Sequence, residues 1–429
     1  MPDRTPPPSI PFDHPYLLAA RRLFPPALWP RLFVVGGTAR DLVSGAVPND
    51  LDLVAAVAAG DLAALGFRPV ATTQGAAIHF KYRPGVGKVE IVLIPAPEAL
   101  ADDLRRRDFT ATAFALPITG GAVYDPLDGV TALHRRLLIP TSPESFRDDP
   151  IRLFRAFRLL CAGWTLSPAA VALIQAQGWE AALARCPVER FSGEMVKALA
   201  FPAPQRFFAA MLEFDVGQSL LPELFRMPAV VAGPPEYHPE GDLFSHALET
   251  LAAVTAQSAE PLARFCGFFH DLGKLATDPA LYPRHHGHEE AGAALALTFC
   301  QRLRLPAVWR TALAALCRDH GKARRWDELR DGTRVTLAEA AVKAGTTELL
   351  PLLVACDGGR GGVMPGWETA VAAARLSSRE LGIRPEQFEG DAAAGIPPLT
   401  PTERQGLVHQ ARVAELRRRL RGESPPPSP

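Results

Sequence analysis

Near residue 141 the chain changes its hydrophobic period, and few folds accommodate that change. Upstream, residues 28–140 alternate short β-like runs with helical ones. "RLFVVGG", "NDLDLVAAV", "AIHFKY", "KVEIVLI", "FTATAFAL" and "AVYDPL" are the strand candidates, and "TARDLVSG" and "PEALADDLRRR" the helical ones. Downstream, apolar residues recur at three and four spacing, as in "DPIRLFRAFRLLCAGW" and "VERFSGEMVKALA". This predicts an α+β chain: a small α/β head over 28–140, a helical neck over 141–231, and a second helical domain over 232–375. "AGPPEYHPEGD" (232–242) reads as the joint between the two helical regions. A helical C-terminal segment, 376–429, holds a basic helix at 402–421 after "GIPPLTP". The Pro-rich stretches at 1–27 and at the extreme C-terminus are expected to be flexible tails.

Formal net charge is zero, so a nucleic-acid partner would need a local basic patch. The basic runs "ARRW" (323–326) and "LRRRLR" (416–421) are candidates. Six widely spaced cysteines without a CxxC pair argue against a disulfide framework or a structural zinc site, and fit a reducing cytoplasm. No signal peptide and no apolar run of about 18 residues is apparent, so no membrane span is expected.

Within "VVGGTARDLVSGAVPNDLDLVAA" (34–56), two acids interrupt an apolar run. On a strand, residues two apart share a face, so Asp50 and Asp52 would present both carboxylates together. Like charges that close call for a divalent cation, and hard oxygen ligands favour Mg²⁺. Gly36-Gly37, at a strand end that opens a helix, exposes N–H groups suited to phosphate, with Arg40 one turn on. Glu90, on an apolar strand, could complete the metal site or help activate a hydroxyl. Together these parts describe nucleotidyl transfer with metal ions, a triphosphate and an attacking hydroxyl.

GGTARD, NDLDL, RRDFT, DPLDG and FRDDPIRLFRAFR, then VERFSGE, occur in that order. In this the chain resembles class II tRNA nucleotidyltransferases, the family of CCA-adding enzymes and bacterial poly(A) polymerases. The resemblance implies a polymerase-β-like head, with Mg²⁺ on Asp50 and Asp52 and the triphosphate on Gly36, Gly37, Arg40 and Asp41. It also implies nucleotide and ribose contacts from Arg106, Arg107 and Asp108, and base reading by Asp149 and Arg152. Arg155 and Arg158 would contact phosphates or brace the site. The implied substrates are the tRNA 3′ acceptor end, CTP and ATP. A carboxylate only accepts hydrogen bonds and a guanidinium only donates, so the pair complements the edges of cytosine and adenine. Independently of the resemblance, Asp149 is predicted to cap a helix with Pro150 at its first position.

The chain departs from the family in two places. "ATA" (111–113) stands where "INA" is usual, and the segment between Glu90 and Arg106 is short. In the family a shortened loop accompanies addition of CC alone, which makes that activity an alternative; poly(A) synthesis is another, since its neck motif would be nearly the same.

Six of the eleven histidines lie in 243–375. His246, His270-Asp271 and Asp357 follow the H…HD…D order of HD phosphohydrolases and are the candidate transition-metal ligands. His285, His286, His288 and His320 are candidate extra ligands or phosphate contacts. "YHPEGDLFSHALETL" and "LYPRHHGHEEAG" resemble HD-bearing CCA enzymes, which implies metal-dependent phosphatase and 2′,3′-cyclic phosphodiesterase activity, the alternative being a domain that serves only as a tRNA-binding body; imidazole ligands suit Ni²⁺, Mn²⁺, Co²⁺ or Zn²⁺ alike. A third reading, an RNA-binding HD hydrolase with an inactive head, is opposed by the intact Asp50 and Asp52.

Overall fold

The computed structural model describes residues 8–70, 77–176, 178–358, 362–389 and 397–423. The chain divides into two compact units, one ending at Ala182 and the other starting at Leu183.

The first unit is built on a six-stranded sheet. In chain order, β1 is Ser9–Ile10, β2 Leu32–Val34, β3 Leu51–Ala55, β4 Arg68–Val70, β5 Ile78–Arg83, β6 Gly87–Leu93, β7 Leu116–Pro117 and β8 Gly121–Ala122. The sheet runs β4-β5-β6-β3-β2-β7, and only the β3–β6 pairing is parallel. Leu51, Leu53, Val54 and Ala55 make β3 almost wholly buried, which is why the strand sits at the centre of the sheet. The Gly36–Val43 helix follows β2 directly.

Three sequence expectations are corrected here. Residues 8–27 are no tail. β1 pairs with β8, and the Pro15–Arg21 helix buries Tyr16, Leu17 and Ala20. The first seven residues and the final Pro-rich stretch lie outside the described residues. "FTATAFAL" forms a 3₁₀ turn, Thr110–Thr112, before the short β7. Phe109, Ala111, Ala113, Phe114, Ala115 and Leu116 are all buried, so the run carries no two-residue alternation, and the Thr112 hydroxyl bends back to Asp108 Oδ1 at 2.9 Å. "AVYDPL" holds strand only at its start. Asp125 instead accepts the N–H groups of Gly129 and Val130 at 2.7 and 2.9 Å, tying down the start of the next helix.

After Ala182 the described residues form helices and 3₁₀ turns. Phe265, Phe268 and Phe269 of the Pro261–Phe269 helix are buried, and Phe268 stacks on Phe208 with centroids 4.0 Å apart. This apolar anchor fixes the helix end that delivers His270-Asp271. The His288–Arg302 helix packs along the Ala307–Ala323 helix, and the Leu272–Ala276 turn packs against the former. The basic helix spans Pro401–Leu420 and opens on a Thr400–Glu403 capping box. Its Arg412 and His409 meet Glu339 at 2.9 and 3.0 Å, and Arg417 meets Asp331 at 2.7 Å. Part of that charge run is thus spent within the unit. Among the described residues no helix is long and apolar enough to cross a membrane.

Candidate functional site

The first candidate site lies where β2, β3 and β6 meet the Gly36–Val43 helix. Parallel register sets Asp52 on β3 opposite Glu90 on β6. Gly36 has φ +62°, and a methyl there would come 3.1 Å from Asp52 Oδ2 and 3.2 Å from the Arg107 guanidinium. Only glycine fits this turn at low cost. Burial raises the pKa of Asp52 most, and Glu90 and Asp50 raise it further. Arg107 and the Gly37 N–H hold it down in part. Such mutually opposed carboxylates are what a hard divalent cation relieves, so the donor set fits Mg²⁺.

Asp50 departs from the strand geometry expected of it. It lies in a bend one residue before β3. Its backbone oxygen accepts the Tyr16 hydroxyl at 2.7 Å and the Thr38 hydroxyl at 2.9 Å, and its Oδ1 accepts the Lys88 N–H at 3.0 Å. Thr38 Oγ1 in turn accepts the Asp52 N–H at 2.8 Å. Glu90 Oε1 pairs with Lys88 Nζ at 2.5 Å. Among the described residues, every group of three or more close metal-ligating atoms lies in residues 238–357, so Asp50, Asp52 and Glu90 do not converge into such a group.

The remaining candidates divide into inward and outward sets. Arg40 folds onto Asp41 at 2.7 Å beside the glycine turn. Arg107 pairs with Asp103 at 2.9 Å, whereas Arg106 is exposed. Asp108 points into the protein, where Arg155 Nε lies 2.9 Å away. Burial would raise this carboxyl, but Arg155, the Thr112 hydroxyl, the Phe109 N–H and Arg152 together hold it below its usual range. Arg152 donates to Ser145 O and Oγ at 3.0 and 3.1 Å and to Arg106 O at 2.5 Å. Arg152, Arg155 and Arg158 share a half-buried stripe on the Ile151–Cys161 helix, as their spacing predicts. That helix starts one residue later than expected, with Pro150 rather than Asp149 as its N-cap, and Asp149 precedes it in extended backbone (φ −149°, ψ 94°).

The second candidate site lies in the second unit. Three separate stretches bring His246, the adjacent pair His270-Asp271 and Asp357 together, all 5% exposed or less. His246 Nε2 is 3.5 Å from Asp271 Oδ2 and 3.2 Å from Asp357 Oδ1, and His270 Nε2 is 3.3 and 3.5 Å from the same atoms. Asp271 Oδ1 turns the other way, toward His288 Nε2 at 3.4 Å and His320 Nε2 at 3.3 Å. Two of the four extra histidines therefore join the cluster. His285 is pinned to Val231 O at 2.9 Å, and His286 is exposed.

The outer nitrogens fix the inner ones. His270 Nδ1 donates to Gly267 O at 2.9 Å, His288 Nδ1 to His285 O at 2.6 Å, and His320 Nδ1 to Leu316 O at 3.0 Å. Carbonyls only accept, so these Nδ1 atoms carry protons and Nε2 is left to face inward. His246 Nε2, His270 Nε2, Asp271 Oδ1 and Asp357 Oδ1 are buried without a hydrogen-bond partner. Three of these, His246 Nε2, His270 Nε2 and Asp357 Oδ1, face one another, while Asp271 Oδ1 faces His288 and His320; orphaned buried lone pairs grouped in this way are the signature of a cation site. Burial opposes charge on His270, but Asp271 and Asp357 outweigh it and push its imidazolium up to about 10. Both carboxyls lie well below their usual range despite burial, Asp271 through Lys274 at 2.6 Å and Asp357 through His270. The mixed imidazole and carboxylate set suits a divalent transition metal.

Sequence reading missed Glu240, Lys274 and Arg324, which contact His246, Asp271 and Asp357 at 2.7, 2.6 and 3.2 Å. The signal for Glu240 and Lys274 was their closeness to the histidine motifs, in "HPEGD" and "HDLGK", whereas Arg324 reads only as part of the basic run "ARRW".

Three family models match: the poly A polymerase head domain at 81–139, the probable RNA and SrmB-binding site of polymerase A at 164–227, and the HD domain at 243–346. The head match begins beyond Gly36 and Asp52. A multifunctional CCA protein of Azoarcus sp. is 31% identical over 415 residues, 92% of this chain and 98% of the relative. That of Methylococcus capsulatus is 33% identical over 76% of this chain and 81% of its own length. Among solved structures, the Bacillus stearothermophilus CCA-adding enzyme in complex with CTP superposes with a TM-score of 0.66 at 20% identity, covering 95% of this chain and 94% of that one. The Thermotoga maritima CCA-adding enzyme complexed with tRNA gives 0.60 at 18% identity, covering 96% and 93%. The structures support the fold and the relatives the lineage: the chain belongs to the multifunctional CCA protein family.

Proposed function

We propose that the first unit adds C and A to tRNA 3′ ends from CTP and ATP, and that the second hydrolyses phosphate esters at a divalent-metal centre. The observation that carries the first activity is the meeting of Asp52, Glu90 and the Gly36 turn, in a chain 31% identical to a multifunctional CCA protein over 92% of its length. Bound at Asp52 and Asp50, Mg²⁺ would neutralise triphosphate charge and favour ionisation of the attacking hydroxyl. The Gly36-Gly37 N–H groups and Arg40 hold the phosphates. Tyr16 and Thr38 keep the Asp50–Asp52 backbone rigid while this happens. Asp149 and Arg152 supply an acceptor beside a donor for the base. The three oxygens that Arg152 already meets use three of its five N–H donors, which leaves two for a further partner. Arg155, tied to Asp108, braces that helix against the head loop.

In the second unit, His246, His270, Asp271 and Asp357 would hold Ni²⁺, Mn²⁺ or Co²⁺, which supplies an activated water. Lys274 and Arg324 orient the two carboxylates.

A second reading of the first activity, CC addition alone, draws on one feature. Only residues 94–96 separate β6 from the Pro97–Ala99 turn that leads into the Leu100–Arg105 helix. A tRNA lacking CCA, incubated with CTP alone, ATP alone or both, and resolved at single-nucleotide length, decides the matter. The proposal expects two additions with CTP and a third with both. Two additions under both conditions would establish CC addition, and a long A tail would establish poly(A) synthesis.

A further inference from the structure

Glu240 belongs to no motif that carried the functional reading, yet its side chain is only 6% exposed beside a cluster that already holds two other carboxylates. Burying an anion there is costly unless donors compensate. Two do. His246 Nδ1 lies 2.7 Å from Glu240 Oε1, and His238 Nδ1 lies 2.9 Å from the same oxygen. Burial works against the ionised form, but these imidazole contacts keep the Glu240 carboxyl below its usual range.

The turn around Glu240 is held from several sides. The Ala232 N–H donates to Gly241 O at 2.9 Å and the Leu243 N–H to Val230 O at 2.8 Å. Asp242 caps the Leu243–Gln257 helix by accepting the Ser245 N–H at 2.9 Å and hydroxyl at 2.7 Å. His238 is wedged against Gly233, where a methyl would come 2.3 Å from its Cδ2. Glu240 is thus set before any ligand arrives. Of the four cluster histidines, three hydrogen-bond through Nδ1 to backbone carbonyls, His288 with Glu289 farther off at 3.4 Å, and only His246 hydrogen-bonds to a carboxylate. An anion on Nδ1–H does two things a carbonyl does less well: it fixes the tautomer and raises the basicity of the opposite nitrogen.

We propose that Glu240 is a positioning residue of the metal centre, holding His246 in the Nδ1–H form so that its Nε2 lone pair faces Asp271 and Asp357, and thereby setting the affinity for the cation. The same oxygen locks His238 as a wall of the adjoining cavity of about 340 Å³, which Lys274, His285 and His288 also line. His238 does not reach the inner cluster, so its contribution to cation affinity is small.

This inference rests on the reading of the cluster as a metal site, and the test separates the two. The full chain is stripped with chelator and titrated calorimetrically with Ni²⁺ and Mn²⁺, and bound metal is counted after dialysis. Absence of tight uptake by the unsubstituted chain would overturn both readings. With uptake established, Glu240→Gln, nearly isosteric, is expected to weaken affinity about 10- to 100-fold, the range for the loss of a ligand's supporting carboxylate. Glu240→Asp, which keeps the charge, should recover part of the loss. His238→Asn, which can still donate to Glu240, should stay within about threefold. Equal affinity of Glu240→Gln and the unsubstituted chain would overturn the inference alone. So would equal weakening by His238→Asn, which would mark the turn as scaffolding. Thermal melting of each metal-free variant establishes that it is folded.

Discussion

The two sites spend charge in opposite ways. In the first unit the acids are spread out: Glu90 is 35% exposed and tied to a lysine, and Asp50 is turned onto a backbone N–H. In the second unit, His246, His270, Asp271 and Asp357, no more than 5% exposed, crowd together, with the Nδ1 atoms of both imidazoles already bonded. The first arrangement suits a cation that arrives with a triphosphate and leaves with pyrophosphate. The second suits a cation that stays. An exposed acid can wait in water at little cost, whereas buried lone pairs that face one another are costly until something sits between them.

The largest expected effect breaks the first side of this contrast. Asp52→Asn should lower nucleotide addition to tRNA by roughly 10³-fold or more, since cation stabilisation of the reacting charge amounts to several kcal/mol and each 1.4 kcal/mol is tenfold. The readout is single-turnover extension on a gel. Metal uptake by the second unit serves as the internal control. Extension within tenfold of the unsubstituted chain would mean that catalysis does not run through Asp52.

The second prediction concerns the preformed centre. His270→Ala should remove tight metal uptake and lower 2′,3′-cyclic phosphodiesterase activity by roughly 10²-fold or more. The check is metal analysis of the purified variant alongside turnover of a cyclic nucleotide. Normal metal content would show that His270 is structural.

How much of this contrast could be read from residue order alone follows from what order encodes. The H-D and D-x-D pairs are local spacings on an apolar background and are legible in the sequence, whereas the distant His246 and Asp357 were legible only through the order of the series. The basic helix, expected at 402–421 and found at Pro401–Leu420, was legible from its punctuation. Buried runs were not. All of Phe109 to Leu116 except Thr112 is buried, and a segment with almost no wet face has no period to read. The prolines of residues 8–27 masked a strand and a helix whose value lies in distant partners, Gly121 and Asp50. Glu240 was invisible for the same reason: its role depends on which imidazole folds over it.

A third, smaller effect sharpens the comparison thermodynamically. A cation that stays should stabilise the fold that holds it. At free Ni²⁺ about 100 times the dissociation constant, linkage predicts about 2.7 kcal/mol. Calorimetry should then show one melting transition rising with Ni²⁺ and falling with chelator. Mg²⁺ without CTP should not move the other transition comparably. Equal shifts from Mg²⁺ alone would show that the first site is also preformed.

The smallest effect tests whether the first site, though open, is braced. The Tyr16 hydroxyl donates to Asp50 O at 2.7 Å from a helix that reads as a tail in the sequence. Burial above all, then Asp52, Asp50 and Asp41, raises the Tyr16 pKa, so the phenol keeps its proton and remains a donor throughout the working pH range. Tyr16→Phe removes one neutral hydrogen bond, worth about 0.5–1.5 kcal/mol. It leaves the ring in the pocket and Thr38 as the remaining clamp. The expected result is a rise of about 2- to 10-fold in the Mg²⁺ concentration needed for half-maximal extension, with the saturated rate nearly unchanged. A loose backbone holds a cation less well but can still be filled by mass action. If instead the saturated rate fell while Mg²⁺ dependence stayed the same, Tyr16 would be acting on chemistry rather than on cation capture. The contrast between an assembled and a preformed site would then have to be redrawn at Asp50.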